Sequence, residues 1–584
     1  MMAQIPATER LFRPSTIDSA SGTATGTLRL IGPASIDCLD PAAAQPPHMR
    51  QVMRLLTRQL LSHEPRPNLH EWRAISAVPD AAVDVPSTYN MGLGASHRCY
   101  VVHLRPRVMW ATTPPRAVTA HDFIRGLKRM CNPWSRPPGL TYFRSAIRGM
   151  AEFCDGFRAA VLPVGPKPEL FAAYQNAHEI EGVFALDDET LVIELVRPTP
   201  DFVEMLTLTC ASAAPVEYDA FLPGSMELSR NLISNGPYRV AQLIPGERLR
   251  LEPNPAWQPD TDPLRSQRLE AIEITVESAT PKHIARAINF GMAHLPWGSP
   301  ICDSVALSGS KVSWALDPYV VFNFTGPSTE LRNQLVRQAI SVVINKAALA
   351  DICRACSPRA SVQVADSIVP PNNDAHEPPP AGGAASRGDA AAARELLTQA
   401  AHAEGFTLLA VHGPQEIERR VMRSIASDLG RAGIDIRIRQ VDRGDVERLA
   451  AGVAPTGPWD LTTRSCSADW HHDNGRVFLQ SLFETEAVCN VGGFSNREVD
   501  ELIVRALELA IDAPSRAVGA WQDVERRVQD MTVVVPLLFQ SPAVHQRNGH
   551  VLNAMPMPAL GFSDDLASLW LTDRHRSNGE ITEG

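Results

Sequence analysis

Four short stretches carry residue types capable of chemistry. Cys353-Arg354-Ala355-Cys356 is a C-x-x-C pair. Thiolates at that spacing hold zinc when a second ligand pair is available, and do redox work in a thioredoxin-like setting. No second pair is evident, so two incidental thiols at a helix end are expected. His471-His472-Asp473 offers imidazole and carboxylate, both competent transition-metal ligands. Adjacent residues on one loop rarely converge on one ion, which favours an ordinary polar loop. His402-Ala403-Glu404 has the first half of a zinc deaminase signature and lacks the cysteine half. Gly92-Leu93-Gly94 lacks the third glycine of a dinucleotide loop. Neither a G-x-S-x-G elbow nor a G-x-x-x-x-G-K-[ST] loop occurs. The expectation is a chain that is not an enzyme, with no catalytic residue, no metal and no cofactor.

The elements that position these stretches belong to an ordinary globular chain. It has 584 residues, 44% hydrophobic and 21% charged, enough for roughly three to four folding units. The net charge of −10 argues against nucleic acid as a partner, because phosphate-backbone binding needs a basic field. No uncharged apolar run reaches the roughly 18 residues that span a bilayer. The first 25 residues are rich in Ser, Thr and Ala, lack the apolar centre of a signal peptide and read as a flexible lead-in. Ser35-Ile36-Asp37-Cys38 does not match a lipoprotein cleavage box. Ten cysteines are compatible with a reducing compartment.

Alternation and turn chemistry predict the strands. Asn235-Gly236-Pro237 is a turn signal, Tyr238 and Val240 flank Arg239, and Pro245-Gly246 suits the centre of a type II turn. Arg248 to Glu252 alternates again, so 235–257 reads as a β-hairpin. Strands are also expected at Gly26 onward, Tyr100–Leu104, on both sides of Asp187-Asp188, at Ala271–Glu277 and at Thr532–Phe539. Phe406–His412, a stripe of Ile417, Val421, Ile425 and Leu429, and Ile434–Ile438 form a βαβ unit. Helical stripes are Val52, Leu55, Leu56 and Leu60 over 50–61, and Leu331, Leu335, Ala339 and Val342. Thr119 with Asp122, and Ser495 with Glu498, read as capping boxes. Pro370–Ala393, with its Pro and Gly runs, reads as a linker.

The wording of several of these stretches, in order, resembles the family 5 extracellular solute-binding proteins, the oligopeptide- and dipeptide-binding components of ABC importers. The residues concerned are Asn-Gly-Pro-Tyr, Pro-Gly-Glu and Asn-Pro-x-Trp within 235–257, HLRPRVMW before VTAHDF, IEGVFALDDETLVIELVRPT, and VFNFTGPSTELRNQLVRQAISVVINKAAL. The resemblance runs from about Gly26 to Trp570. It implies an α/β, two-lobed periplasmic-binding-protein-like fold (type II, cluster C) with an extra subdomain in the first lobe. The expected layout is a flexible 1–25, a first lobe over 26–270 with the subdomain at about 64–186, a second lobe over 271–531 with the linker, a return over 532–575, and a tail at 576–584. Ala271–Glu277 is expected to cross to the second lobe and Thr532–Phe539 to return.

The resemblance also implies a site. Trp459–Leu479 matches the segment that lines the family's cleft, and places Asp469 where a carboxylate receives a peptide's α-amino group. The backbone of Ser465 and Ser467 is then offered to an extended ligand, with Trp470 as a wall. The chain departs from the family at Ser465-Cys466, usually Gly-Trp. Its loop after Trp470 is longer, so Asp473 is an alternative carboxylate. Taken as bare residues, Asp469 is equally a solvated group or a partner of Arg464. Gly32-Pro33-Ala34 resembles the family's cleft edge on the first lobe, and Gly32 and Ala34 are candidate contacts. The implied function is capture of an oligopeptide or other small solute by a monomer, outside the cytoplasm, for an ABC permease and its ATPase. The missing export signal leaves open a cytosolic derivative that senses or binds a metabolite.

Overall fold

The computed structural model describes residues 26–572 apart from 37, 44–47, 69–70, 278–279, 299–304, 307–313, 357–360, 379–386, 443–444, 446–456, 472–474, 542, 545–546 and 562. The expected flexible lead-in and tail, residues 379–386 of the Pro/Gly-rich linker, and His472 and Asp473 lie outside the described residues.

In chain order the elements used below are β1 (Thr27–Gly32), α1 (Met49–Leu56), β2 (Cys99–His103), α2 (Ala120–Met130), α3 (Leu140–Ala146), α4 (Met150–Val161), β3 (Val183–Asp187), β4 (Thr190–Glu194), β5 (Tyr238–Ile244), β6 (Arg248–Pro253), β7 (Ala271–Val276), β8 (Leu295–Pro296), β9 (Ala315–Phe322), α5 (Gln334–Val343), α6 (Lys346–Cys356), β10 (Val362–Val364), β11 (Phe406–His412), α7 (Glu416–Arg431), β12 (Ile434–Gln440), β13 (Leu461–Cys466), α8 (Arg476–Phe483), α9 (Arg497–Asp512), α10 (Pro514–Asp530), β14 (Val534–Pro536) and β15 (Leu538–Gln540).

Two main sheets divide the chain. The first has the order β8-β1-β7-β6-β5. β1 runs parallel to β7, and β6 is antiparallel to both its neighbours. β5 and β6 are the expected hairpin. Gly246 sits at φ 72°, and Glu247 N donates to Ile244 O across the turn at 3.1 Å, which is the type II geometry that glycine permits. The second sheet has the order β10-β15-β9-β13-β11-β12, with β14 also on β9. β11 and β12 pair in parallel around α7, the expected βαβ unit. A three-stranded sheet, β2-β4-β3, sits in the subdomain. It reaches Glu194, past the expected boundary near 186.

The crossing points differ from expectation. Ala271–Val276 leaves no lobe; it lies inside the first sheet, between β1 and β6. The strands of 532–539 pair with β9 in the second sheet. Alternating apolar residues identify a buried strand, but do not say which sheet it joins.

Local signals fare better than boundaries. Thr119 and Asp122 form the capping box of α2. α9 is capped by Asn496, which accepts from Val499 N at 3.1 Å, and Glu498 pairs instead with Arg527. Asn, like Ser, is a good cap, and the sequence offers both side by side. α1 is shorter than expected and ends at Leu56. The buried stripe of α5 is Val336, Ala339, Ile340 and Val343, while Val342 is exposed. The linker ends at Asp389, which caps a helix over Ala390–Gln399.

Each main sheet has its own apolar cluster, one around Leu28, Ile272 and Trp297, the other around Val320, Ile340 and Leu408. A third cluster joins subdomain residues such as Phe123 and Tyr142 to Trp470, Phe478 and Trp521 of the second half. The same cluster holds Leu60 and Leu61 of the first half, so the subdomain packs against both halves. The candidate site lies at that seam.

Candidate functional site

β13 carries the site because of an unfinished pairing. On one side it pairs with β9 as far as Cys466. On the other, β11 reaches only Leu461 and Thr462. Among the described residues no strand pairs with the rest of that edge. Ser465 and Ser467 are exposed there. An edge of open N–H and C=O groups is what an extended ligand adds to.

Beyond Ser467 the chain turns towards the first half and brings Asp469 and Trp470 with it. Asp469 meets two residues that are remote in sequence. Arg50 Nη2 donates to Asp469 Oδ1 at 2.8 Å, and Tyr142 Oη donates to Asp469 Oδ2 at 3.1 Å. Arg50 comes from α1, whose buried face is Met49, Val52, Met53, Leu55 and Leu56. One turn further on, Arg54 is buried and committed to Asp565 at 2.9 Å and Ser62 at 2.7 Å. Arg50 is the cation of this helix that remains for Asp469.

Tyr142, on α3, is held from several sides. Trp470 packs on its ring edge-on, with centroids 4.7 Å apart, a contact worth about 1 kcal/mol beyond burial. The Arg476 guanidinium lies 5.6 Å from the same ring. Burial, and then the charge of Asp469, push the Tyr142 phenol well above its ordinary range. It stays protonated and acts as a donor. Arg476 itself pairs with Asp201 of the subdomain at 2.5 Å. Asp469 is 15% exposed and Arg50 26%, so this contact is within reach of water. The nearby thiols of Cys489 and Cys210 are pushed up to about 12 by burial and by Asp469.

Two spaces flank the contact. One of about 50 Å³ is bordered by Arg50, Asp469, His63 and Leu560. The other, about 450 Å³, lies between subdomain and second half and is bordered by Trp470, His471, Arg476, Asp201, Arg197 and Trp521.

Of the residues expected at the site, Ser465, Ser467, Asp469 and Trp470 come together. Asp469 is paired with Arg50, in place of Arg464. Asp473 lies outside the described residues. Gly32 and Ala34 border neither space. A Cβ on Gly32 would lie 1.9 Å from the Trp297 carbonyl oxygen, and Ala34 O accepts from Trp297 Nε1 at 2.8 Å. Both serve a close backbone approach inside the first half. Cys353 and Cys356 share α6; burial pushes the Cys353 thiol up to about 12, which disfavours the thiolate that metal or redox work requires. Among the described residues no three His, Cys, Asp or Glu side chains group as metal ligands, and no helix is long and apolar enough to cross a membrane. Arg50, Tyr142, Asp201 and Arg476 were not singled out from sequence. Arg50 and Tyr142 are 419 and 327 residues from Asp469, and no local pattern marks them.

The family model of bacterial extracellular solute-binding proteins, family 5 Middle, matches residues 95–483. The chain is 22% identical over 453 residues to the probable deoxycholate-binding periplasmic protein YgiS of Escherichia coli (strain K12), covering 76% of this chain and 77% of that one. It is 24% identical over 458 residues to the glutathione-binding protein GsiB of Salmonella choleraesuis (strain SC-B67), covering 74% and 83%. Among solved structures, the Escherichia coli murein tripeptide binding protein MppA superposes with a TM-score of 0.74 at 17% identity, covering 94% of this chain and 100% of that one. That likeness concerns the fold, two lobes of mixed α/β structure.

Proposed function

Because the chain belongs to the bacterial extracellular solute-binding proteins of family 5, a non-catalytic family of ABC import, we propose that it captures a small peptide-like solute between its two lobes, outside the cytoplasm, and delivers it to an ABC permease. The observation that carries this reading is the Arg50–Asp469–Tyr142 contact beside the open edge of β13. Three segments, from both halves of the molecule, converge on one carboxylate at the place where backbone groups are left for a guest.

The chemistry is an exchange. Arg50 gives Asp469 a charge-assisted hydrogen bond. A ligand's ammonium supplies the same kind of bond at the same oxygen, so replacing Arg50 leaves no bare carboxylate behind. Tyr142 keeps the second oxygen satisfied throughout. Ser465 and Ser467 supply backbone partners, and Trp470 closes one side. Closure of the lobes then follows from ligand contacts made only in the closed form. The named ligands of the relatives, glutathione and deoxycholate, show how widely the solute varies at this degree of identity.

Native mass spectrometry of the protein as purified identifies the solute it carries. Calorimetry with that solute, or with tri- to pentapeptides, then tests the anchor. Asp469→Ala is expected to weaken free-amine peptides at least tenfold and to leave their N-acetylated forms within about twofold, tenfold being ~1.4 kcal/mol. Arg50→Ala, which removes the competing cation, is expected to tighten free-amine peptides. Equal losses for free and acetylated peptides in Asp469→Ala would remove the amine anchor.

A further inference from the structure

A second cavity, of about 230 Å³, lies along the same seam, between α3 and α4 of the subdomain and the segment Glu484–Val488 that follows α8. Its walls hold four guanidiniums, Arg136, Arg144, Arg158 and Arg197, and three carboxylates, Asp155, Glu484 and Glu486. The pairing is uneven. Arg144 reaches Asp155 at 3.1 Å and Glu486 at 3.4 Å. Arg158 reaches the same two, at 2.8 and 3.5 Å. Two carboxylates thus serve two arginines between them. Glu484 is turned to Gln480, which donates to it at 3.0 Å.

Arg136 and Arg197 are left over. Among the described residues neither guanidinium has a hydrogen-bond acceptor or an ion-pair partner, and Arg136 Nε is buried without one. Buried donors are rarely left unmatched; Glu486 lies near Arg136, and Glu508 and Glu484 near Arg197, without pairing with them. Burial and the neighbouring Arg158 and Arg144 push Arg136 down and outweigh Glu486; burial with Arg476 does the same to Arg197 against Glu508 and Glu484. Burial also raises the carboxyl of Glu484. Thr141 Oγ1 borders the cavity too. It accepts from Val488 N at 2.9 Å, with its own proton committed to no described residue.

We propose that this cavity is a binding site for a small oxyanion of the phosphate class, held by Arg136 and Arg197 with Thr141 as a further donor. Guanidinium forks match the paired oxygens of such an anion. The site is separate from the β13 edge and does not depend on the identity of the transported solute. Its walls come from the subdomain and the second half, so the anion ties the two together at the seam.

Calorimetric titration of the full chain with inorganic phosphate, in a buffer without other oxyanions, tests it. Wild type is expected to bind one phosphate and to melt at higher temperature in its presence. Arg136→Gln/Arg197→Gln is expected to lose at least tenfold in phosphate affinity. Arg136→Lys, which keeps the charge and loses the fork, should fall between. Glu486→Gln, which removes a competing carboxylate, should tighten phosphate; these two variants carry the test if the double variant does not fold. Arg50→Gln, in the solute cleft, should leave phosphate affinity as in wild type. Absence of phosphate binding, equal affinity in the folded double variant, or loss of binding in Arg50→Gln would each overturn the site.

Discussion

Two aspartates in this molecule each hold an arginine, and they differ in almost everything else. Asp80 sits in the first half with Arg58 at 2.8 Å and Arg265 at 2.6 Å. Asp262 completes the cluster at 3.2 Å from Arg265, and all four side chains are 0% exposed. Burial alone would raise the Asp80 carboxyl, but Arg265 and Arg58 outweigh it and hold it down at about 2. Asp469 has one arginine and one phenol, and water reaches both ends of the ion pair. In the first case both carboxylate oxygens of Asp80 are hydrogen-bonded to buried guanidiniums. In the second, one partner comes from the other half of the molecule and is open to water, as the proposed exchange with a ligand requires. The same pair of functional groups makes a buried joint or a solvent-accessible one, according to how many partners it has and whether water can substitute.

That contrast can be broken most easily at Asp80. Asp80→Ala leaves two buried guanidiniums without their shared counter-charge and is expected to cost about 3–5 kcal/mol, measured by urea unfolding. The pH dependence has a definite sign. The folded value is below the ordinary carboxylate value of 3.8, so the contribution is present above that pH and is lost as pH falls through about 2. Wild type should lose this increment in acid, and Asp80→Ala should not. A variant as stable as wild type at neutral pH would end the comparison.

Glu525 sharpens it, as a buried carboxylate with no arginine. Ile368 N and Val369 N donate to it at 2.5 and 3.0 Å. Burial wins over these bonds and raises the carboxyl from 4.5 to about 7. The stability of the protonated form is complete below 4.5 and lost as pH rises through about 7. Glu525→Gln keeps an acceptor for the backbone and removes the titration. Between pH 5 and 8 wild type should lose about 2–3 kcal/mol relative to this variant, visible as a steeper fall in melting temperature. Parallel curves would show that the carboxyl stays ionised.

The smallest effect belongs to the exchangeable pair. A double-mutant cycle of Arg50→Ala and Asp469→Ala in ligand-free protein should give a coupling of at most about 1 kcal/mol, with added salt reducing it further. A coupling as large as the loss in Asp80→Ala would make Asp469 a structural residue and exclude exchange with a ligand. Ligand affinity, in contrast, should respond to Asp469 far more than folding does.

Legibility in the sequence followed the range of the interaction. The hairpin of 235–257, the capping box at Thr119 and the βαβ unit of 406–440 are set by neighbours within a few residues, and each is present where expected. Where two adjacent residues compete for one role the outcome shifts by one position, as from Ser495 to Asn496. Strand membership is different in kind: Ala271–Val276 and Val534–Pro536 are strands as read, each in a sheet other than the one expected. The site divides in the same way. Ser465, Asp469 and Trp470 are legible because they lie on one stretch whose wording resembles a family. Arg50, Tyr142 and Arg476 are not.

The sequence by itself determined most strands and helices, the absence of the common hydrolase and nucleotide-binding motifs, and the stretch proposed to receive a guest, because periodicity, turn chemistry and short motifs are written in neighbouring residues. Only the tertiary structure decided which cation meets Asp469, which arginines among the described residues have no ion-pair partner, and what the subdomain packs against. Those outcomes depend on contacts between residues hundreds of positions apart, and electrostatic and packing energies are set by distance in space, which chain order does not record.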